Sequence, residues 1–125
     1  MRILAAFALI VLAAPAPGQP DWSRAQRVEV RLSSFDFDPA SLRLRAGQPV
    51  VLHLVNTGSG GHNFAAPQFF AASTVAAGPV RDGAVELGGR QSADVRLVPA
   101  RGHYRLRCTH TLHSTFGMRG EIVVE

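Results

Sequence analysis

Tyr104-Arg105-Leu106-Arg107-Cys108-Thr109-His110-Thr111-Leu112-His113-Ser114-Thr115-Phe116-Gly117-Met118, followed by Gly120-Glu121-Ile122-Val123-Val124, joins an alternating strand to a second β-rich run through a loop rich in metal donors. Tyr104, Leu106 and Cys108 fall on one face of an extended segment from His103 to Cys108, with Arg105 and Arg107 on the other, so a strand carries a thiol at the end of its inward face. The loop that follows spaces Cys108, His113 and Met118 as C-x4-H-x4-M, with Gly117 supplying backbone freedom before Met118. Ile122 to Glu125 then reads as a closing strand.

One strand end and one tight loop can therefore bring a thiol, an imidazole and a thioether to one point. A second imidazole has to come from elsewhere, and the glycine-flanked triplet Gly61-His62-Asn63 offers it. Soft sulfur favours Cu(I), while imidazole suits both oxidation states of copper, so this donor set points to one mononuclear, redox-active copper ion of type 1. The candidate metal ligands are His62, Cys108, His113 and Met118, with Met118 as the weak axial donor. The competing readings are a buried cysteine and a core methionine that serve only packing. His53, within a strand, and His103, at a strand start, have no donor at metal-like spacing and stay outside the set.

Upstream, Val28, Val30 and Leu32 alternate with Glu29 and Arg31, which predicts a first strand over Arg27 to Leu32. Leu42 and Leu44 predict a second, Pro49 to Asn56 a third, and Phe64-Ala65 an extended segment after the glycine-rich loop 57–61. Alanine-rich Gln68 to Ala76 predicts one or two helical turns, ended by Gly78-Pro79. Ala84 to Leu87 and Ser92 to Val98 are further strands. About seven or eight short strands separated by turns imply an all-β, two-sheet antiparallel Greek-key sandwich with one short helical segment.

The chain resembles the cupredoxins, the small blue copper proteins such as azurin, plastocyanin and rusticyanin, in three blocks. The first is Phe35-Asp36-Phe37-Asp38-Pro39 with Leu42, Leu44, Ala46-Gly47 and Val50 to Asn56; the second is Gly61-His62-Asn63-Phe64; the third runs from Tyr104 through Met118 to Val124. The gap of four residues between Cys108 and His113 is like that of azurin and rusticyanin and longer than that of plastocyanin. The resemblance implies that the Gly61 carbonyl is a further axial candidate and that Asn63 and Thr109 join the ligand segments by hydrogen bonds. It also suggests that Leu112, Phe116 and Phe64 shield the site and leave an apolar rim around His113. His110 departs from the usual loop: two residues after Cys108 it could serve as an alternative ligand, a proton acceptor or an exposed loop residue, the last being the preferred reading.

The chain has 125 residues. It opens on Met1-Arg2, an apolar run from Ile3 to Ala14 and the small residues Pro15-Ala16-Pro17-Gly18, which reads as a secretory signal over residues 1–18, cleaved after Gly18. Cleavage after Ala13 or Ala16 and a retained anchor are the alternatives; the run is short for a bilayer, so no stable membrane insertion is expected once the signal is removed. Residues 19–125 suffice for one domain with its own core. The single cysteine cannot pair internally, and in an exported chain metal ligation accounts for an unpaired thiol.

All 13 basic side chains are arginine and leave a net charge of +4. They are scattered, with no basic helix and no interleaved aromatics, which argues against nucleic acid. A mildly cationic surface suits an anionic partner or membrane, although solvation explains scattered arginines equally well. The function expected is a periplasmic, non-enzymatic electron shuttle between redox protein partners. The alternative is a periplasmic copper carrier or tolerance protein, a class that Met-rich or His-rich tracts would support and that residues 19–125 lack. A copper oxidase or nitrite reductase would need more copper ligands, and a metal-free module would leave the donor set without a reason.

Overall fold

The computed structural model describes residues 8–10, 18–110 and 118–125. A short 3-10 turn at Trp22–Arg24 leads into β1 (Gln26–Ser33), β2 (Asp36–Asp38), β3 (Ser41–Leu44), β4 (Val50–Asn56) and β5 (His62–Ala65). After α1 (Pro67–Ala72) come β6 (Thr74–Ala77), β7 (Ala84–Leu87), β8 (Ser92–Val98), β9 (Gly102–Arg107) and β10 (Arg119–Val124). They form two five-stranded sheets, ordered β2-β1-β4-β8-β6 and β3-β10-β9-β5-β7. The expected sandwich is the one observed, with ten strands among the described residues instead of seven or eight. The sheets are also mixed: β1 runs parallel to β4, and β10 parallel to β3.

Period-2 alternation drives the layering. Val30 and Leu32 of β1, Leu52 and Leu54 of β4, and Val95 and Leu97 of β8 are fully buried, and register places Val30 beside Leu54 and Leu52 beside Val95. From the other sheet Leu42, Phe64, Val85, Leu106 and Ile122 meet them with at most 2 % exposure. Each such side chain contributes roughly 1.5–3 kcal/mol by leaving water, whereas a one-residue slip would turn the whole set outward. The alternation therefore settles register as well as strand identity.

The one or two expected helical turns are present, but they end before Gly78-Pro79. α1 starts with Pro67 in its first turn and buries Phe69 and Phe70, then stops where the Ser73 hydroxyl bonds back to the Phe69 carbonyl at 2.7 Å. The rest of the stretch forms β6, which pairs with β8 through Thr74↔Val98 and Val75↔Leu97. β-branched Thr74 and Val75 suit that open sheet edge better than another helical turn. The other strands deviate by up to three residues at their ends, with β2 and the 3-10 turn as additions to the sequence reading.

At one end of the sandwich the loop 57–61 is tied down by Asn56. Its side-chain amide donates to the carbonyls of Gly60, Leu87 and Gly88 at 2.8, 3.2 and 3.0 Å, and its oxygen accepts from the Gly58 N–H at 3.0 Å. The turn after β7 packs against this loop so closely that a Cβ on Gly89 would lie 2.2 Å from the Ser59 carbonyl oxygen. Backbone cannot yield there as a side-chain end could. Gly89→Ala is therefore expected to lower stability by about 1–3 kcal/mol, read as a reduced denaturant midpoint of the metal-free protein; an unchanged midpoint would show that the two loops part freely.

Candidate metal centre

β5 and β9 are neighbours in the second sheet, paired in register at Ala65↔Arg107. Towards the loop end the side chain of Asn63 bridges them. Its oxygen accepts from the Thr109 N–H at 2.8 Å, its amide donates to the Thr109 hydroxyl at 2.7 Å, and its own N–H points to Cys108 Sγ at 3.5 Å. Asn63 and Cys108 are 1 % and 0 % exposed, so the contact with the sulfur is shielded from water, whereas the two bonds to exposed Thr109 are only partly buried. The joint between the strands is thus made by one amide side chain and one sulfur. An N–H directed at the sulfur holds it in position.

His62 stands next to Asn63 at the start of β5, 4 % exposed, and the loop folds over it: a Cβ on Gly58 would lie 3.6 Å from His62 Nε2. Met118, fully buried, precedes β10, and its carbonyl accepts the Cys108 N–H at 3.1 Å. A buried thiol, imidazole and thioether therefore come from three segments to one end of the sandwich. His113 lies outside the described residues, as do Leu112 and Phe116. Among the described residues no three His, Cys, Asp or Glu side chains gather as a metal cluster.

The donors fit copper by their chemistry. Two soft sulfurs and an imidazole are not a set for Mg²⁺ or Ca²⁺, which take oxygen. Withdrawal from water keeps solvent from competing as a ligand. Phe64, fully buried, packs edge-on to Phe37 and Phe70 with ring centroids 6.1 and 5.9 Å away, and so belongs to the hydrophobic core behind the site. Gly61 sits against His110, whose Cε1 would be 3.2 Å from a Cβ there.

His110 differs from the sequence reading. It is only partly exposed, and its Nε2 lies 2.9 Å from Glu86 Oε2, while Glu86 Oε1 accepts from the Asn63 amide at 2.7 Å. Glu86 thereby spans both ligand-bearing segments from β7, where register sets it opposite Asn63. Sequence reasoning missed it because an outward glutamate in an alternating strand looks like an ordinary solvated charge. The other two histidines outside the candidate set are also paired, His53 Nδ1 with Asp94 Oδ1 at 2.5 Å and His103 Nε2 with Glu121 Oε2 at 2.7 Å.

Partial burial pushes the Glu86 carboxyl up, but the hydrogen bonds from His110 and Asn63 outweigh it and hold the group below its ordinary value of 4.5. A carboxylate with a depressed folded pKa stabilises the fold above its unfolded value and loses that contribution as pH falls through the folded one. The melting temperature of the metal-free protein should thus drop on acidification from about pH 5 downward more steeply in the wild type than in Glu86→Gln. Parallel curves would show that Glu86 is not energetically engaged.

A family model described as a cupredoxin-like domain matches residues 2–124. The fold is similar to that of auracyanin B, at 27 % identity and TM-score 0.62, over 84 % of this chain and 92 % of that one. It is also similar to the dithionite-reduced auracyanin of the photosynthetic bacterium Roseiflexus castenholzii, at 20 % identity and TM-score 0.62, over 81 % and 98 %. A multi-copper oxidase of Pseudomonas thermotolerans shares the fold at 20 % identity and TM-score 0.66, but the match covers 89 % of this chain and only 32 % of the oxidase. No curated protein matches the sequence.

Proposed function

Because this chain belongs to the cupredoxin-like domain family, we propose that it is an exported, periplasmic type 1 copper protein that passes single electrons between redox partner proteins. His62, Cys108 and His113 are the close ligands in this reading and Met118 the axial one. The observation that carries it is the fully buried Cys108 sulfur, which faces the Asn63 N–H at 3.5 Å in a segment joined through its backbone to Met118. Copper held by such donors supplies a one-electron couple. The residues around it hold the ligands in place: Asn63 joins β5 to Thr109, Asn56 closes the loop over His62, and the core behind Phe64 excludes water.

Two further points favour a carrier of electrons over a carrier of copper. Met118 is the only methionine in residues 19–125, and a delivery protein would be helped by tracts of exposed, exchangeable sulfur or imidazole. The described donors are buried and cross-linked by hydrogen bonds, which suits slow metal exchange and little rearrangement between oxidation states. Auracyanin A of Chloroflexus aurantiacus, which has the same fold at 21 % identity and TM-score 0.56, is described as a blue copper protein. No helix among the described residues is long and apolar enough to cross a membrane.

The test is the visible spectrum of the purified protein on addition of one equivalent of Cu(II). Intense thiolate-to-copper charge-transfer absorption with a narrow parallel hyperfine splitting is the expected result, and a pale, weakly coordinated Cu(II) spectrum would reject the assignment. Rapid loss of Cu(I) to a competing chelator together with slow electron self-exchange would favour copper delivery. Met118→Leu should keep the colour and raise the reduction potential, since loss of an axial donor destabilises Cu(II) more than Cu(I). A potential that does not move would make Met118 a packing residue.

A further inference from the structure

We propose that the outward face of the second sheet at Arg105, Arg107 and Arg119 is a docking surface for the acidic face of a redox partner protein; this rests on the electron-carrier reading above. Register sets Arg107 directly opposite Arg119 across β9 and β10, and Arg105 two residues along the same strand. All three are exposed and line one open cleft of about 560 Å³ beside Pro67 and Gln68, and no carboxylate among the described residues lines it. Like charges directly opposite one another weaken a sheet.

The nearest carboxylate by register, Glu121 opposite Arg105, is engaged elsewhere. It bonds to His103 at 2.7 Å and to Ser41 at 3.1 Å. Arg105 and Arg107 form no ion pair among the described residues. A neighbouring cleft of about 330 Å³ shares Arg107 and continues to Asn63 and Thr109, with Arg81 and the carboxylates of Asp82 and Glu86 also in its lining. The cationic surface therefore ends at Arg107, where this mixed-charge cleft begins. A partner docked on it would lie along β9, whose next residue is Cys108.

The form of the surface selects the partner. Residues two apart on a strand are separated by about 7 Å, and directly opposite residues by about 5 Å, so the guanidinium stems start from well-separated points and suit several carboxylates more than one small anion. A flat bilayer does not enter a cleft. Protruding Asp and Glu side chains do, and guanidinium binds carboxylate in a two-pronged geometry. Electrostatic pairing of this kind chiefly raises the encounter rate and orients the partner, as a carrier that must also dissociate requires.

The experiment is an NMR titration of the metal-free protein with hexaglutamate at low salt, with inorganic phosphate and phosphatidylserine vesicles as separate probes. Amide shifts confined to 102–107, 119–120 and Gln68 are expected, with affinity about tenfold weaker in Arg107→Glu/Arg119→Glu and unchanged in Arg27→Glu/Arg31→Glu, which alters net charge equally on the opposite sheet. Shifts scattered over all arginines, or equal losses in both double variants, would overturn the proposal. So would phosphate giving the same shifts at the same affinity, or vesicles binding through these arginines where hexaglutamate does not. Because the protein carries no metal in this titration, the result is independent of the copper spectrum. Localised shifts in a protein that never turns blue would leave the surface standing and reject the electron-carrier reading; a blue protein with scattered shifts would do the reverse.

Discussion

Cys108→Ser is expected to abolish the charge-transfer colour completely and to weaken copper binding by more than about a hundredfold, beyond what loss of an outer partner usually costs. The thiolate is the donor that makes the absorption intense, and a hydroxyl is harder, far less acidic and a poor match for Cu(I). Because Cys108 is fully buried, Ser also places a hydroxyl in the core, at about 1–3 kcal/mol if it finds no partner. Cys108→Ala separates the two effects: it removes the sulfur without adding a polar group, so the metal-free protein should melt close to the wild type while remaining colourless with Cu(II). A blue Cys108→Ala protein would exclude Cys108 as the ligand.

Asn63→Ala is expected to lower the stability of the metal-free protein by about 1–3 kcal/mol and copper affinity by about 10–100-fold. The amide is 1 % exposed and spends both its oxygen and its nitrogen on the joint between β5 and the residue after Cys108, with Glu86 as a further acceptor. Removing it leaves the Thr109 N–H and hydroxyl without that partner. Asn63→Asp should be worse at neutral pH, since it loses the donor and sets a second carboxylate against Glu86. A double-mutant cycle with Thr109→Val checks the assignment: the two changes should be coupled by about 0.5 kcal/mol or more, and strict additivity would mean that Asn63 acts through packing alone.

The strands were legible where one face is apolar and the other charged. Ala84–Leu87 and Ser92–Val98 form as the alternation predicts, because side chains on a pleated strand must point to opposite sides and only one side meets the core. The segment after α1 was not legible: alanine has a strong local preference for helix, and the vacant edge of β8 that captures Thr74 and Val75 is supplied by residues some twenty positions further on. The parallel pairings of β1 with β4 and β3 with β10 were hidden for the same reason, since periodicity reports faces and carries no direction.

In the site the same division holds. Donor chemistry is a property of side-chain type, so His62, Cys108, His113 and Met118 could be named from the sequence as candidate copper ligands, and the short spacing of three of them limited how far apart they could lie. The burial of Cys108, His62 and Met118, and the placement of Asn63 so that one amide bridges the ligand segments, were decided by tertiary structure. So were the capture of His110 by Glu86 and the gathering of Arg105, Arg107 and Arg119 on one face. Each of these depends on strand order and register, which arise when two sheets close on a shared core and bring together residues that have no local means of recognising one another.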